Sequence, residues 1–164
     1  MRGDATRLPF APNAVDAVVV VWLLHLLPDP APVPAEAARV LRPGGVLITT
    51  VDKDDAYFAE DSDAARVTAD SRRRHAPLVP DHAARVLGRA AEPGLGFAGG
   101  TVFPGTGQGR SPRRRREVIE AGRVPCCTDA TPDRVTDTCR RLVALPDQHA
   151  ARPDPLYRLI ALKA

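Results

Sequence analysis

The architecture of this chain follows from residues 15–51, which read VDAVVVVWLLHLLPDPAPVPAEAARVLRPGGVLITTV. The apolar run Val15–Leu24 is rich in β-branched residues and nearly continuous, which is typical of a strand buried on both faces of a parallel sheet. A short helix is predicted over Pro34–Leu41, because a proline lies near its start and Pro43-Gly44-Gly45 stops it. The run Val46–Val51 predicts the next buried strand. Strand, helix, glycine turn and strand form a βαβ unit, whose crossover we expect to be right-handed.

The rest of the chain alternates helical segments with turns rich in glycine and proline, and it contains no internal repeat. The predicted elements are a polar helix over Asp61–His75, a helix over His82–Ala91 capped by Asp81, an irregular strand with a glycine-rich turn between Gly94 and Gly109, helices that begin at Ser111-Pro112 and Thr131-Pro132 and run to Ala121 and Leu145, and a terminal strand over Leu156–Leu162.

Length and composition fit one soluble globular domain, with 164 residues of which 44% are hydrophobic and 26% charged. The longest apolar run, Ala17–Leu24, is far shorter than the roughly 20 residues that a membrane span needs. The first four residues lack the layout of a secretory signal. We therefore expect a cytoplasmic protein that does not associate with membranes.

The charge distribution and the cysteine spacing predict neither a nucleic-acid surface nor a metal site. The net charge is +3, and arginines cluster only at Arg72–Arg74 and Arg113–Arg116. We interpret both clusters as solvated helix faces, so nucleic-acid binding is not expected. Cys126, Cys127 and Cys139 have no spacing typical of zinc, so no metal site is predicted and the three are interpreted as free thiols.

Four motifs follow one another over Gly3–Val51: Gly3-Asp4-Ala5-x-x-Leu8-Pro9-Phe10, Val15-Asp16-Ala17-Val18, Leu24-His25-Leu26-Leu27-Pro28-Asp29 and Arg39-Val40-Leu41-Arg42-Pro43-Gly44-Gly45. In this order and spacing they resemble the class I S-adenosylmethionine-dependent methyltransferases, and most of all the broad type 11 group that acts on small molecules. Beyond residue 55 the resemblance is limited to the final strand and the general pattern.

The resemblance implies an α/β fold that is part of the Rossmann-like methyltransferase fold. It comprises strands 4, 5, 6 and 7 of the family's sheet with flanking helices, and the last strand runs antiparallel to its neighbours. The family's first two strands and its glycine-rich loop lie upstream of the matching region, so the chain resembles a methyltransferase truncated at its third strand. On this interpretation residues 1–164 form a single incomplete domain, with cofactor-side motifs in 1–55 and substrate-side helices and terminal strands in 56–164.

The resemblance also implies S-adenosylmethionine as cofactor and assigns two residues to its adenine. An acidic residue at the position of Asp4 accepts a hydrogen bond from the adenine amino group, and the backbone N–H of Ala5 reaches a ring nitrogen. A carboxylate suits an amine donor because it only accepts hydrogen bonds. The alternative for Asp4 is a turn-capping aspartate. Leu8-Pro9-Phe10 would contact one side of the adenine, and packing in the core is an equally open role that does not exclude this contact.

Residues near the end of the predicted strand Val15–Leu24 are implied to face the methionine part of the cofactor and the substrate. These are Val20, Val21 and Trp22, and the indole of Trp22 could lie against the sulfonium cation. The alternative for Trp22 is a core tryptophan. His25 is a weaker candidate for substrate contact, and a structural role is the alternative. Arg39–Gly45 is interpreted as structural.

The leading functional hypothesis is methyl transfer to an O, N or C nucleophile of a small molecule, with no residue identified as a base. The alternative is an inactive methyltransferase-like fragment that acts as an interaction module. Gly105-x-Gly107-x-Gly109 is interpreted as a mobile substrate-side loop and not as a substitute for the family's phosphate-type loop. We therefore expect weakened cofactor binding, and self-association through an exposed edge strand.

Overall fold

The computed structural model of the protein describes residues 3–56, 61–75, 78–124 and 130–164. The chain divides into two compact units. The first comprises Met1–Lys53, Val79–Phe103 and Tyr157–Ala164, and the second comprises Asp54–Leu78 and Pro104–Leu156. In chain order the elements are β1 (Val15–Val20), a 3-10 helix (Leu24–Leu26), α1 (Pro32–Val40), β2 (Leu41–Val51), α2 (Lys53–Ala56), α3 (Asp63–His75), α4 (Ala83–Ala91), β3 (Gly96–Pro104), α5 (Pro112–Glu120), α6 (Pro132–Val143) and β4 (Leu156–Lys163).

The first unit is built on a four-stranded sheet in the order β1-β2-β4-β3. Strand β1 runs parallel to β2, with Val18 opposite Leu47, and β2 runs antiparallel to β4. Strand β3 approaches the far side of β4 closely, since a Cβ built on Gly100 would lie 3.1 Å from the Leu159 carbonyl oxygen. The parallel pair and the antiparallel terminal strand are confirmed as predicted.

One face of this sheet forms the core of the first unit. Side chains alternate between faces along a strand, so the register places Val20, Leu47 and Val51 on the same side as Ile160 and Leu162. These residues are buried together with apolar side chains of the two flanking helices, namely Val33 and Ala37 of α1 and Ala83, Val86 and Ala90 of α4. The helices form because their apolar positions recur at helical spacing.

The opposite face of β1 is bare. The side chain of Val19 is 63% exposed, and Ala17 is also exposed. The interpretation of Val15–Leu24 as a strand buried on both faces was therefore wrong for the described residues. The run is also shorter than expected, because β1 ends at Val20 and the chain turns into the 3-10 helix at Leu24.

The segment predicted as a turn before the second strand is already part of β2. The register between β1 and β2 shifts between Val15 and Ala17, which marks an irregularity at the start of the ladder. Gly44 has a φ of 82°, and a Cβ on Gly45 would lie 3.0 Å from the carbonyl oxygen of Asp16. The two glycines are needed because one adopts a left-handed conformation and the other lies against the neighbouring strand.

The second unit contains α3, α5 and α6. Its core is formed by Ala64, Val118, Ile119, Val124, Cys139 and Leu142. The Ser111 hydroxyl accepts a hydrogen bond from the Arg114 backbone N–H, so the predicted N-cap of α5 is confirmed. Thr131 precedes α6 as predicted but makes no side-chain capping bond. Cys139 is buried, and Cys126 and Cys127 lie outside the described residues, so the interpretation of the three as free thiols stays a prediction.

The glycine-rich segment Gly105–Gly109 is tied to a carboxylate of the same unit. The backbone N–H groups of Gly107 and Gly109 donate to the two carboxylate oxygens of Asp154, at 3.0 and 2.7 Å. A Cβ on Gly109 would also collide with the carbonyl oxygen of Arg152. These contacts link the segment to Asp154 and Arg152, and its interpretation as a mobile loop stays a prediction.

Candidate functional site

The loop before β1 carries the first motif and is shaped by Asp4. The Asp4 Oδ1 atom accepts hydrogen bonds from the Thr6 backbone N–H at 2.8 Å and from the Thr6 hydroxyl at 2.7 Å. The Arg7 N–H donates to the Asp4 carbonyl at 3.0 Å. Asp4 is exposed. The hydrogen bond from the Thr6 hydroxyl, followed by that from the Thr6 N–H, lowers the pKa of its carboxyl group. The structure thus shows the turn-capping role that the sequence offered for Asp4, and its carboxylate remains open to solvent.

Helix α1 anchors this loop through a carboxylate and a guanidinium. The Leu8 N–H donates to Glu36 Oε1 at 2.7 Å. The Arg39 guanidinium pairs with Glu36 at 2.7 Å and donates to the carbonyl oxygens of Leu8 and Phe10, at 3.3 and 2.9 Å. Hydrogen bonding by Arg39 is the main cause that lowers the pKa of Glu36 to about 2. The first motif is therefore held against α1 by a charged pair that stays ionised at neutral pH.

A cavity of about 350 Å³ lies between this loop, β1 and α1. It is lined almost entirely by apolar side chains, and the lining residues are Ala5, Leu8, Val18, Val19, Val20, Val21, Leu23, Val33 and Ala37. Its size is at the lower end of the range typical of small-molecule sites. Three of the residues assigned to cofactor binding, Ala5, Val20 and Val21, are thus brought to one cavity, with Asp4 next to Ala5 in the chain.

Trp22, the last of the five residues assigned to cofactor binding, does not line the cavity. Its backbone adopts a left-handed conformation with a φ of 53°. The Trp22 N–H donates to the Thr50 hydroxyl at 2.8 Å, which ties the end of β1 to the end of β2. The indole lies beside Tyr157, with ring centroids 5.6 Å apart and planes inclined at 59°. Phe103 contacts Tyr157 from β3 at the same centroid separation, so three aromatic rings meet at this end of the sheet.

The carboxyl end of β2 is closed by two aspartates that cap each other's helices. Asp81 Oδ2 accepts from the Lys53 N–H at 2.9 Å, and Asp52 Oδ1 accepts from the Ala83 N–H at 3.0 Å. Arg158 donates to Asp52 Oδ2 at 3.0 Å. The prediction that Asp81 caps the helix over His82–Ala91 was therefore wrong, because Asp52 reaches that helix from the strand end while Asp81 caps α2.

His25 lies in the 3-10 helix that follows β1 and is half-buried. The cavity lining does not include it. Its assignment as a weak substrate contact thus stays a prediction.

Residues 1–49 match a family described as methyltransferase domain. An uncharacterized chloroplastic methyltransferase of Arabidopsis thaliana is 50% identical over 50 residues, which are 30% of this chain and 14% of that protein. Demethylmenaquinone methyltransferase of Renibacterium salmoninarum is 48% identical over 48 residues, which are 29% of this chain and 20% of that protein. Over this segment the chain is similar to methyltransferases. The chain therefore spans only a small part of the curated relatives that it matches.

The methyltransferase fold is also seen by structural comparison. A provisionally named methyltransferase from Bacillus halodurans C-125 superposes with a TM-score of 0.50 and 18% identity, over 99% of this chain and 69% of that chain. At this level of identity the likeness shows the fold alone. The predicted α/β, Rossmann-like methyltransferase fold is thereby confirmed.

Several residues that shape the methyltransferase segment were not found by sequence reasoning. Glu36 and Arg39 lie three positions apart on α1, a spacing that predicts an ion pair but does not reveal that the pair binds the loop at Leu8. Thr50 and Tyr157 looked like ordinary strand residues. No local signal marks them, because their partners come from other strands.

The described ranges lack both a metal-type cluster and a membrane-spanning helix. They contain no cluster of three or more His, Cys, Asp or Glu side chains suited to a metal ion. None of the helices in that part of the chain has both the length and the apolar character to cross a bilayer.

Proposed function

We propose that this chain forms the adenine side of an S-adenosylmethionine site and takes part in methyl transfer to an O, N or C nucleophile of a small molecule. The observation that carries the proposal is the apolar cavity of about 350 Å³ bounded by the first motif and the end of β1. In an open α/β sheet, ligands bind beyond the carboxyl ends of parallel strands, and the cavity includes the end of β1.

The loop residues suit an adenine. The Asp4 carboxylate is exposed next to Ala5, which lines the cavity, so an exocyclic amine could be bound by the first residue and a ring nitrogen by the N–H of the second. The pKa of Asp4 is lowered, which keeps the carboxylate ionised and a pure acceptor at neutral pH. Val20 and Val21 would contact the ring or the methionine part of the cofactor through their apolar side chains.

The cofactor supplies an already activated methyl group. When bound, S-adenosylmethionine would supply this methyl group to the acceptor's nucleophilic atom, and an O–H or N–H acceptor would release its proton to solvent. Catalysis of such a step is mainly positioning. Among this chain's residues, Trp22 and His25 are proposed to lie toward the acceptor, and neither is assigned as a base.

Cofactor affinity of the 164-residue polypeptide should be low. Its glycine-rich segment, Gly105–Gly109, already binds the Asp154 carboxylate through two backbone N–H groups. These N–H groups are therefore not open to a cofactor. Each hydrogen bond that a charged or polar group of the cofactor does not receive would weaken binding by roughly 1.5–3 kcal/mol. Two such losses correspond to a hundredfold or more in the dissociation constant.

The second candidate function is a methyltransferase-like module that acts by binding a protein chain. The bare outer face of β1, with Val19 63% exposed, supports it. Strand β1 has β2 as its single neighbour in the described sheet, and an open apolar edge strand is a template for pairing. Self-association is the partner interaction that we propose for this edge.

S-adenosylhomocysteine titrated into the ¹⁵N-labelled polypeptide tests the cofactor proposal even if affinity is low. We expect amide shifts at Asp4, Ala5, Val20 and Val21, with a dissociation constant well above the micromolar range. Asp4→Ala should weaken binding, whereas Asp29→Ala, at an exposed aspartate that accepts from the Ala31 N–H, should not. Absence of shifts at millimolar ligand would overturn the proposal, and micromolar binding by calorimetry would overturn the expected weakness.

A further inference from the structure

Trp22 has a backbone conformation that its side chain disfavours. Among the described non-glycine residues with positive φ, Asn13, Asp52 and Asp147 have short polar side chains that tolerate the left-handed region. Trp22 is the bulky exception, with a φ of 53°. A bulky residue in this region is a genuine outlier, and such strain is concentrated at ligand sites, where the surrounding structure maintains it.

Neighbouring strands maintain this conformation. The Thr50 hydroxyl, on a residue that is 3% exposed, accepts the Trp22 N–H. Tyr157 is 1% exposed, and its ring contacts the indole of Trp22. The ring of Phe103 contacts Tyr157 in turn. With its backbone in this conformation, Trp22 places its indole beside Tyr157, which lies three residues before the core residue Ile160 on β4 and therefore on the other face of that strand.

The indole nevertheless remains open to solvent. Trp22 is 40% exposed, and Val19 on the same bare side of β1 is 63% exposed. A tryptophan that served only the core would be expected to bury more of its large apolar surface. The exposed ring of Trp22, together with the buried ring of Tyr157 and the ring of Phe103 behind it, forms an aromatic cluster at the carboxyl end of the parallel strands, which we call the aromatic ledge.

We propose that the aromatic ledge binds a planar aromatic or conjugated ring of the methyl acceptor, stacked on the exposed face of Trp22. This inference rests on the proposed function, because it names the acceptor class of that site. Aromatic pairs gain from offset or tilted stacking beyond the area that they bury. A saturated ring of equal size would bury similar area but lacks the π-system, so the ledge predicts preference for flat acceptors.

Trp22 is the one tryptophan of the sequence, so its fluorescence reports on the ledge directly. The probe is 2-naphthol, and its saturated counterpart, decahydro-2-naphthol, is the control ligand. We expect quenching that saturates with 2-naphthol after correction for absorbance, and at least roughly fivefold weaker binding of the saturated ring. Equal affinity for both ligands, or no saturable quenching, would overturn the proposal.

Variants separate stacking from general apolar contact. In equilibrium dialysis, Trp22→Leu should weaken 2-naphthol binding roughly tenfold, the equivalent of about 1.4 kcal/mol, and Trp22→Phe should retain most of it. Leu26→Ala, at a leucine that is 67% exposed on the 3-10 helix, is the matched control and should bind as the unchanged chain does. Equal loss in Trp22→Phe and Trp22→Leu would contradict stacking.

A second variant keeps the fluorophore and guards against misfolding. Phe103→Leu removes one supporting ring from Tyr157 and should weaken the quenching severalfold while the circular dichroism spectrum is unchanged. An unchanged quenching curve in this variant would overturn the supporting role of Phe103. All ligand titrations are done without cofactor, so naphthol binding can fail while the S-adenosylhomocysteine shifts at Asp4 and Ala5 persist, and the reverse result is equally distinguishable.

Trp22 could instead lie against the cofactor's sulfonium, and the same variants distinguish this occupant. Cation–π contact predicts that Trp22→Leu weakens S-adenosylmethionine more than the uncharged thioether S-adenosylhomocysteine. The ledge proposal expects both cofactor forms to be affected equally and 2-naphthol to be affected most. A selective loss of S-adenosylmethionine with normal 2-naphthol binding would overturn it.

Discussion

The backbone N–H of Leu8 donates to Glu36 Oε1 across 2.7 Å, although the two residues are 28 positions apart in the chain. This bond fastens the motif that precedes β1 to the helix that follows it. Arg39 completes the anchor through the carbonyl oxygens of Leu8 and Phe10. The position of Ala5 and Leu8 at the cavity therefore depends on a charged pair on α1 that makes no contact with the cavity itself.

Replacing Glu36 by alanine should release the loop. The Leu8 N–H loses its acceptor and Arg39 loses its carboxylate partner, so we expect hydrogen exchange at the Leu8 amide to accelerate on the order of tenfold or more. Glu36→Gln keeps an oxygen acceptor, so its exchange rate at Leu8 should lie between those of the unchanged chain and Glu36→Ala. Amide exchange followed by NMR is the measurement, and unchanged exchange at Leu8 in Glu36→Ala would show that the anchor is unimportant.

The same pair should make loop anchoring sensitive to acid. The folded pKa of Glu36 is about 2 against an ordinary value of 4.5, so its contribution to stability is fully present above about pH 4.5. That contribution is lost as the pH falls through about 2. Titration of the Glu36 carboxyl carbon by NMR should give a midpoint near 2, and Arg39→Gln should move the midpoint toward 4.5. A midpoint near 4.5 in the unchanged chain would contradict the ion pair.

In the second unit, Arg152 should not be replaceable by lysine. Its guanidinium binds both carboxylate oxygens of Asp63, at 2.7 and 2.8 Å, and also donates to the carbonyl oxygens of Pro146, Asp147 and Ala150. Lysine keeps the charge but lacks the planar fork. We expect Arg152→Lys to lower the free energy of unfolding by about 1–3 kcal/mol in urea titration.

The control for this change is Arg114→Lys. Arg114 forms an exposed pair with Glu117 one turn away on α5, at 3.0 Å, and pairs of this kind contribute little. The change should lower the free energy of unfolding by less than about 0.5 kcal/mol. Equal effects of the two substitutions would show that the five hydrogen bonds of Arg152 contribute nothing to the free energy of unfolding beyond what its positive charge contributes.

The open edge of β1 should drive self-association. We expect light scattering at tens of micromolar, where exposed edges usually associate, to find oligomers of the 164-residue polypeptide. A lysine at the bare face, Val19→Lys, should reduce them because edge lysines oppose strand pairing. Leu26→Lys, at an equally exposed leucine off the strand, should leave association unchanged. A stable monomer that unfolds cooperatively at this concentration would refute the prediction.

The fold could be predicted from sequence where the signal is local. The apolar, β-branched runs that begin at Val15 and Val46 predicted the parallel pair, because strand propensity is a property of neighbouring residues. The terminal strand was predicted from its own residues, and its antiparallel direction from the resemblance. The candidate residues Ala5, Val20 and Val21 were named from motifs, and the structure places them at one cavity.

Other features depend on residues that are distant in the sequence. Asp52 and Asp81 exchange the caps of α2 and α4, Glu36 binds Leu8, and Thr50 holds Trp22 in a left-handed turn. Each of these contacts exists only after the sheet has paired and α1 has packed, because hydrogen bonds act over about 3 Å. The motifs of the first 51 residues thus indicated the resemblance to methyltransferases and the parallel pairing of β1 with β2. Only the tertiary structure decided that Thr50 binds the backbone of Trp22 and that Glu36 and Arg39 of α1 hold the loop.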